Sequence, residues 1–419
     1  MLKINRIIIA LVVIHFYSIN INSQTSITLK QALISAKQNN PILKTENFNI
    51  GIAQADITTA KLRPNPTLNN QSLQLLNPAK YFPNTGFANA LNRQVWWQVT
   101  KQFQLPSQRK YKIEFAEKNV NTIQKNYAET ERNLYLNVGI NWVEAWYAKV
   151  NLDLIYKAYI NIDSLVYINK LRLKNQVITA TDLIRTQLLS EQYQLQKNSA
   201  QRDYINQLQD LKFLLGTNDS ISIDANNDFI LTQISGKIDS LLNYSATNRS
   251  DIIVAQSLIE IATSNISLQK ANAKPIPELG IIYNPQNTIP YIGIFGTIQL
   301  PFFSRNQGEI QKSKIIKAQS EQNLVVVQQQ LKTEITTTYT SYQLHKQTVE
   351  KYRIILTQSE QILNSVKYSY LKGGTTIIDF LEAQRTWFET QKTYYESIYN
   401  YRKSYVQLLH ATGLINQLK

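Results

Sequence analysis

All eleven prolines of this 419-residue chain fall in two windows, residues 41–106 and 275–301, and none occurs in 107–274 or 302–419. Proline inside a helix removes a donor and clashes with the preceding turn, so long proline-free stretches rich in Gln, Lys, Leu and Ile are expected to be long helices. Each stretch opens with a segment of about 65 residues, Arg109 to Leu173 and Gly308 to Lys372, which as helix would be about 95 Å long. In the second, Leu324, Val327, Leu331, Ile335, Tyr339 and Tyr342 keep the three-four spacing of a helix packed along neighbours, as in a coiled coil. A shorter segment then returns to a terminal glycine, Gly216 or Gly413. The reversal is most explicit in YLKGGTTIIDFLEAQR, residues 370–385, where Gly373 and Gly374 stand side by side. Adjacent glycines cost a helix about 1 kcal/mol each, so the pair marks the tip of a helical hairpin.

The plan occurs twice. AKLRPNPTL (60–68) aligns with ANAKPIPEL (271–279), QLP (104–106) with QLP (299–301), and QVITATDLIRTQ (176–187) with GGTTIIDFLEAQ (373–384). Repetition on this scale is architecture. It divides the chain into residues 24–216 as a first structural repeat, 217–248 as a short, polar, mixed linker, and 249–419 as a second repeat. Val177 and Ile178 occupy the first tip, so glycine helps there without being required. Residues 28–62 and 249–274 read as half-length helices, the first capped by Thr28 with Gln31 three residues on.

The proline windows hold strands. VWWQVTKQFQL (95–105) alternates Val95, Trp97, Val99, Phe103 and Leu105 against Trp96, Gln98, Thr100, Gln102 and Gln104, with Lys101 the one misfit on the apolar face. YIGIFGTIQL (291–300) alternates through Ile292, Ile294, Ile298 and Leu300, and TLNNQSLQLL (67–76) and ELGIIYN (278–284) do so more weakly. Two-faced runs near ten residues, rimmed by Trp96, Trp97 and Tyr291, have the length and pattern of transmembrane β-barrel strands; alternation alone equally fits a soluble amphipathic sheet. Lys101 is expected near a membrane interface, because a lysine on a lipid face at mid-bilayer costs roughly 2–4 kcal/mol. Four strands cannot close a barrel, and open edges are not tolerated in lipid, so closure must involve several chains.

Composition removes other classes. Lys3 and Arg6 precede an apolar run from Ile7 to Tyr17, which reads as a secretory signal peptide over residues 1–23 and is too short to span a bilayer. No later segment is long and apolar enough to be a transmembrane helix. The chain has no cysteine, and outside the signal its histidines are His345 and His410, so disulfides, thiolate metal sites and His-based catalysis have almost no material. No catalytic residue, metal site or cofactor is expected, and the chain carries no GxxxxGK[ST] nucleotide loop. The net charge of +15 comes from Lys and Arg scattered without a basic run, which reads as a solvated helix surface rather than a nucleic-acid site.

Taken in order, TLKQAL (28–33), NNP (39–41), AKLRPNPTL, the strand ending QLP, the long helix, ATDLIRTQ, and the second copy through LLHATG (408–413) resemble the TolC-like outer-membrane efflux proteins over essentially the whole mature chain. The resemblance implies an α+β membrane protein of long coiled-coil hairpins with four strands per chain. Three chains would form a homotrimer with a 12-stranded β-barrel in the outer membrane and a periplasmic α-helical tunnel. It implies a passive exit duct for small molecules or metal cations, fed by an inner-membrane efflux transporter and a periplasmic adaptor protein. The duct of a type I protein secretion system and a periplasmic coiled-coil scaffold are the alternatives. Residues 217–248 would form a collar, and the loops Asn77–Gln94 and Asn284–Pro290 would face outside. The family's gate positions match Asp182, Tyr370, Asp379 and Glu382, whose carboxylates in three copies would ring the pore and repel, raising their pKa values. Asp182 and Asp379 equally fit as N-terminal caps of the returning helices. Thr375 stands where a family gate can carry arginine, a departure that removes an Arg-based latch.

Overall fold

The computed structural model describes residues 25–224, 234, 237–286 and 289–418. The signal segment lies outside these residues, as does part of the 217–248 linker. In chain order the elements are β1 (Thr25–Ser26), α1 (Leu29–Asn39), α2 (Pro41–Lys61), β2 (Thr67–Gln74), β3 (Arg93–Gln102), α3 (Pro106–Lys174), α4 (Ala180–Leu215), β4 (Ile221–Ser222), α5 (Ile238–Asn248), α6 (Ser250–Asn272), β5 (Glu278–Gln286), β6 (Ile289–Thr297), α7 (Gln307–Leu371) and α8 (Ile377–Ala411). Two long helices of 69 and 65 residues, each followed by a returning helix, stand where the proline-free stretches put them.

Four boundaries differ from the sequence reading. Helix α3 begins at Pro106 rather than Arg109, since proline at the first helical position loses no bond and has the right φ already. The half-helix over 28–62 is broken at Asn40, whose ψ of 126° is extended because Pro41 disfavours helical backbone before it. Helix α5 fills the end of the segment read as linker, with Leu241 and Ser245 buried. The β5–β6 ladder runs on through Pro285–Pro290 to Gln286–Ile289, leaving little of the loop expected at Asn284–Pro290.

The chain forms two compact units, one of residues 42–130 and 242–333, the other of residues up to 41, 131–241 and 334–419. Each draws on both sequence repeats. The first contains the antiparallel sheet β2-β3-β5-β6, in which the β3–β5 pair joins strands of different repeats. Register puts Leu68, Val99, Ile281 and Ile294 in one row and Trp97, Tyr283 and Ile292 in the next, so one face is an apolar surface that this chain leaves exposed. The opposite face carries Thr67, Thr100, Gly280 and Phe295 in one row and Asn69, Gln98, Ile282 and Gly293 in another. Gly280 is there because a Cβ would lie 2.5 Å from the ring of Phe295, which covers it. Strands are tied to helices by Gln108, whose amide donates to the carbonyls of Ala271 (3.2 Å) and Lys274 (2.9 Å) at the end of α6. The 77–92 connection folds on Asn92, which donates to Gly86 and accepts from the backbone of Phe82.

The second unit is helical. Thr28 and Gln31 cap α1 reciprocally, as their spacing predicts. The fully buried Trp142 donates its indole N–H to the Ile27 carbonyl at 3.0 Å, and β1 pairs in parallel with β4. Helices α3 and α8 approach closely at Gly139, where a Cβ would stand 2.8 Å from Val406 Cγ1.

The hairpin turns share one geometry. After α7, Gly374 N–H donates to Ser369 (2.8 Å) and Gly373 N–H to Tyr370 (3.1 Å), while after α3 Val177 donates to Arg172 and Gln176 to Leu173, both at 2.9 Å. This is the six-to-one and five-to-two bonding of a Schellman motif, which needs a left-handed residue. Gly373 has φ +80° and its counterpart Gln176 has φ +59°, so the residue bearing the strain in the first turn is Gln176, one position before Val177 and Ile178.

Left-handed backbone costs a side-chain-bearing residue about 1 kcal/mol or more. Gln176→Gly should therefore stabilise by about 1 kcal/mol and Gly373→Ala should destabilise by a similar amount. Opposite shifts in thermal unfolding of the detergent-purified protein are the expected result; shifts of one sign would refute the reading. Gly139→Ala should cost about 1–3 kcal/mol by overpacking, most of it recovered when Val406→Ala is added.

Candidate functional site

The hairpin turns and the exposed strand face concentrate the candidate residues. Beyond each turn the returning helix starts with the same capping box. Asp182 N–H donates to Thr179 Oγ1 and Asp379 N–H to Thr376 Oγ1, both at 3.2 Å, while each carboxylate accepts from the N-cap N–H. Thr375 Oγ1 adds a bond to Asp379 Oδ2 at 2.7 Å. The hydroxyls of Thr376 and Thr375, then the Thr376 N–H, hold Asp379 below its ordinary 3.8. Within one chain the shift is therefore downward, because hydrogen bonds to the charged form favour it; the rise expected of Asp379 concerns three chains together. Glu382, one turn on, is exposed.

Tyr370 is enclosed rather than presented on a surface. It is 3% exposed, stacks on Phe380 at 5.2 Å, and has the Arg172 guanidinium over its ring at 4.6 Å. Burial pushes its hydroxyl up, opposed by the charge of Arg172. That hydroxyl donates to Asn169 Oδ1 (3.1 Å), Asn169 donates to Thr186 Oγ1 (3.0 Å), and Thr186 donates to the Asp182 carbonyl (2.7 Å). Asn169 and Thr186 are fully buried, so this line of polar atoms locks α7 to both helices of the first hairpin inside an apolar cluster that includes Ile162, Leu165, Ile377 and Phe380. Inside such a cluster each unmade bond would cost about 1–3 kcal/mol, so the line fixes register. Asn169, Thr186 and Arg172 escape a motif search. The signal was Asn169 itself, a polar residue in helical step with Ile162 and Leu165.

The three aromatics expected at a membrane rim are not together. Trp97 lies mid-strand on the apolar face opposite Tyr283, whereas Trp96 and Tyr291 belong to the other face. The ladder starts at Arg93, earlier than the alternation indicated, which moves both tryptophans away from the strand end. Lys101 is the penultimate residue of β3, at the edge of the apolar face. Among the described residues no helix is long and apolar enough to cross a membrane, and no cluster of His, Asp or Glu is arranged to hold a metal ion.

Residues 241–414 match a family model described as outer membrane efflux protein. No curated protein matches the chain. Among solved structures, CusC shares 17% identity at a TM-score of 0.75, covering 94% of this chain and 95% of its own. The Campylobacter jejuni CmeC outer membrane channel shares 15% at 0.75, covering 94% and 90%. The Neisseria gonorrhoeae MtrE outer membrane channel, in its open state, shares 16% at 0.75, covering 92% and 88%. By sequence over residues 241–414 and by fold over more than nine-tenths of its length, the chain resembles the TolC-like outer-membrane efflux proteins, as its doubled motifs imply.

Proposed function

We propose that this protein is the outer-membrane exit duct of a tripartite efflux system, carrying small molecules or metal cations passively from a periplasmic adaptor and an inner-membrane transporter. The observation that carries this reading is the four-stranded sheet: one face is largely apolar and open, with Ile292 and Ile294 80% and 86% exposed, and among the described residues nothing pairs with the outer sides of β2 and β6. A soluble scaffold would bury that face and blunt those edges. Lipid covers the face, and pairing β2 of one chain with β6 of the next closes a 12-stranded barrel from three chains. The sequence carries no GxxxxGK[ST] nucleotide loop, so the energy for transport comes from a partner. Asp379 and Glu382, exposed at the start of α8, provide the carboxylate rings of the tunnel mouth, with Asp182 and Tyr370 setting the geometry of the tips that carry them.

The protein should fractionate with the outer membrane, purify in detergent as a trimer, and conduct ions in planar bilayers. A monodisperse monomer without detergent would sink the barrel. Deleting the gene should raise sensitivity to small toxic compounds or metal ions; loss of a secreted polypeptide with sensitivity unchanged would instead assign the duct to type I secretion. Replacing Asp379→Asn together with Glu382→Gln should lower the cation preference of the channel while leaving trimers intact. Because Asp379 lies below its ordinary value, its helix-capping contribution is full above 3.8 and lost as the pH falls through its depressed value. Cation preference should accordingly stay flat from about pH 5 upward, unless repulsion between chains dominates. Unchanged selectivity in the double variant would leave the two carboxylates a purely structural role.

A further inference from the structure

Lys101, the one cation on the apolar strand face, is not isolated. It lines a cleft of about 390 Å³ with Arg63, Arg109 and Lys110, together with the exposed ring of Phe103. Arg63 comes from the connection between α2 and β2, Lys101 from the end of β3, and Arg109 and Lys110 from the first turns of α3. Arg63 is brought beside Lys101, Arg109 and Lys110, which lie 38 or more residues further on, where strands give way to helices. No carboxylate lines the cleft, and among the described residues none of the four makes an ion pair. Arg109 donates one guanidinium N–H to the Lys61 carbonyl at 3.0 Å, but its Nε–H is buried without any partner. Four cations converging on a concave surface with no carboxylate among them favour an anion.

The second repeat supplies a control within the same chain. In the register of the two QLP runs, Lys101 and Arg109 correspond to Gly296 and Ser304. The corresponding cleft, about 680 Å³, is lined by Lys274 and also by Glu278. Lys110 and Arg63 have cations as their counterparts, Arg305 and Lys274, so the copies differ at Lys101 and Arg109 and in the Glu278 that lines the second cleft.

Position names the anion. Phe103 is in step with Trp97, Val99 and Lys101, so the cleft opens at the margin of the apolar face, whose neighbouring row holds Leu279 and Ile281. A ligand with a phosphate in the cleft and acyl chains on that face satisfies both surfaces, and lysine at such a rim extends its amine toward the headgroup layer. We infer that Arg63, Lys101, Arg109 and Lys110 form a binding site for the phosphate headgroup of an anionic membrane phospholipid, one per chain, at the helix-side margin of the barrel. The inference rests on the barrel reading above.

The test uses the detergent-purified full-length trimer, with bound lipids counted by native mass spectrometry and affinity measured by titrating phosphatidylglycerol into the micelles. Wild type should retain one phosphatidylglycerol per chain. Arg63→Gln, Lys101→Gln and Lys110→Gln combined should weaken binding about tenfold or more, whereas Lys274→Gln with Arg305→Gln in the second repeat should leave it within about twofold. If the triple variant fails to trimerise, Lys101→Gln alone is the second measurement, with an expected loss of about threefold or more. Diacylglycerol, which lacks the phosphate, should not compete. Millimolar inorganic phosphate that displaces the lipid and stabilises the trimer equally would assign the cleft to a free anion and overturn the lipid site. Binding that is absent in wild type, or unchanged in both variants, overturns it as well. A trimeric channel with no such site sinks this inference alone, whereas a water-soluble monomer sinks the barrel.

Discussion

A backbone N–H or C=O in hydrocarbon has no water to turn to, and each one left unpaired costs several kcal/mol. The sheet of this protein has eight residues in one edge strand and nine in the other, and among the described residues nothing pairs with the outer row of polar groups of either. With roughly half of an edge strand's groups facing outward, the cost in lipid is on the order of ten kcal/mol or more per edge. That exceeds what any single side-chain contact in the structure could offset. The same sheet is a poor fit to water as well, because one face is largely isoleucine, valine, leucine and aromatic side chains. Pairing of edges between chains would answer the first conflict, and lipid against the apolar face the second.

Long helices solve the complementary problem. They satisfy their own backbone, so they need only side-chain packing along one or two stripes, and the close contact at Gly139 and Val406 sets α3 and α8 tightly together. Where helices reverse, backbone groups are orphaned again, and the turn closes them with two carbonyl bonds and a capping box. The fold spends little on specificity elsewhere, yet at the tip it buries an asparagine, a threonine and a tyrosine hydroxyl in one hydrogen-bonded line. Such a line is stable in only one register, which suits a place where three helices must keep a fixed relation.

Much of this was legible in the sequence because its causes are local. Proline fixes φ, so the windows marked the strands and helix starts; the aspartates marked the capped ends, although the N-caps are Thr179 and Thr376 and Asp182 and Asp379 stand three residues on; alternation named the faces of β3 and β6. What escaped depends on contacts across sequence. Gln176 carries left-handed backbone, which nothing in its own chemistry advertises and which only the bonding of Val177 to Arg172 reveals. Asn169 is an ordinary helix residue until Tyr370, 201 positions away, reaches it. The hydroxyls of Thr375 and Thr376, which hold Asp379 down within its own chain, carry no mark in the sequence that sets them apart from other threonines. Scattered cations read as a solvated surface because their convergence at the strand ends is a property of topology.

The two repeats separate what the backbone demands from what side chains were free to become. Positions that agree between copies are those that backbone geometry dictates: the threonine and aspartate of each capping box, the terminal glycines with φ of +64° and +73°, the prolines at the strand margins. Positions that differ are released from that duty. Glycine or glutamine serves at the same left-handed turn, so turn formation tolerates strain and does not explain the glycine pair alone. Lysine or glycine, and arginine or serine, stand at matching positions after the strands, where the first copy enters its helix at Pro106 and the second only at Gln307. A chain built from two copies of one plan thus contains its own comparison, and residues that break the internal symmetry without any need of the backbone are where chemistry beyond folding should be sought.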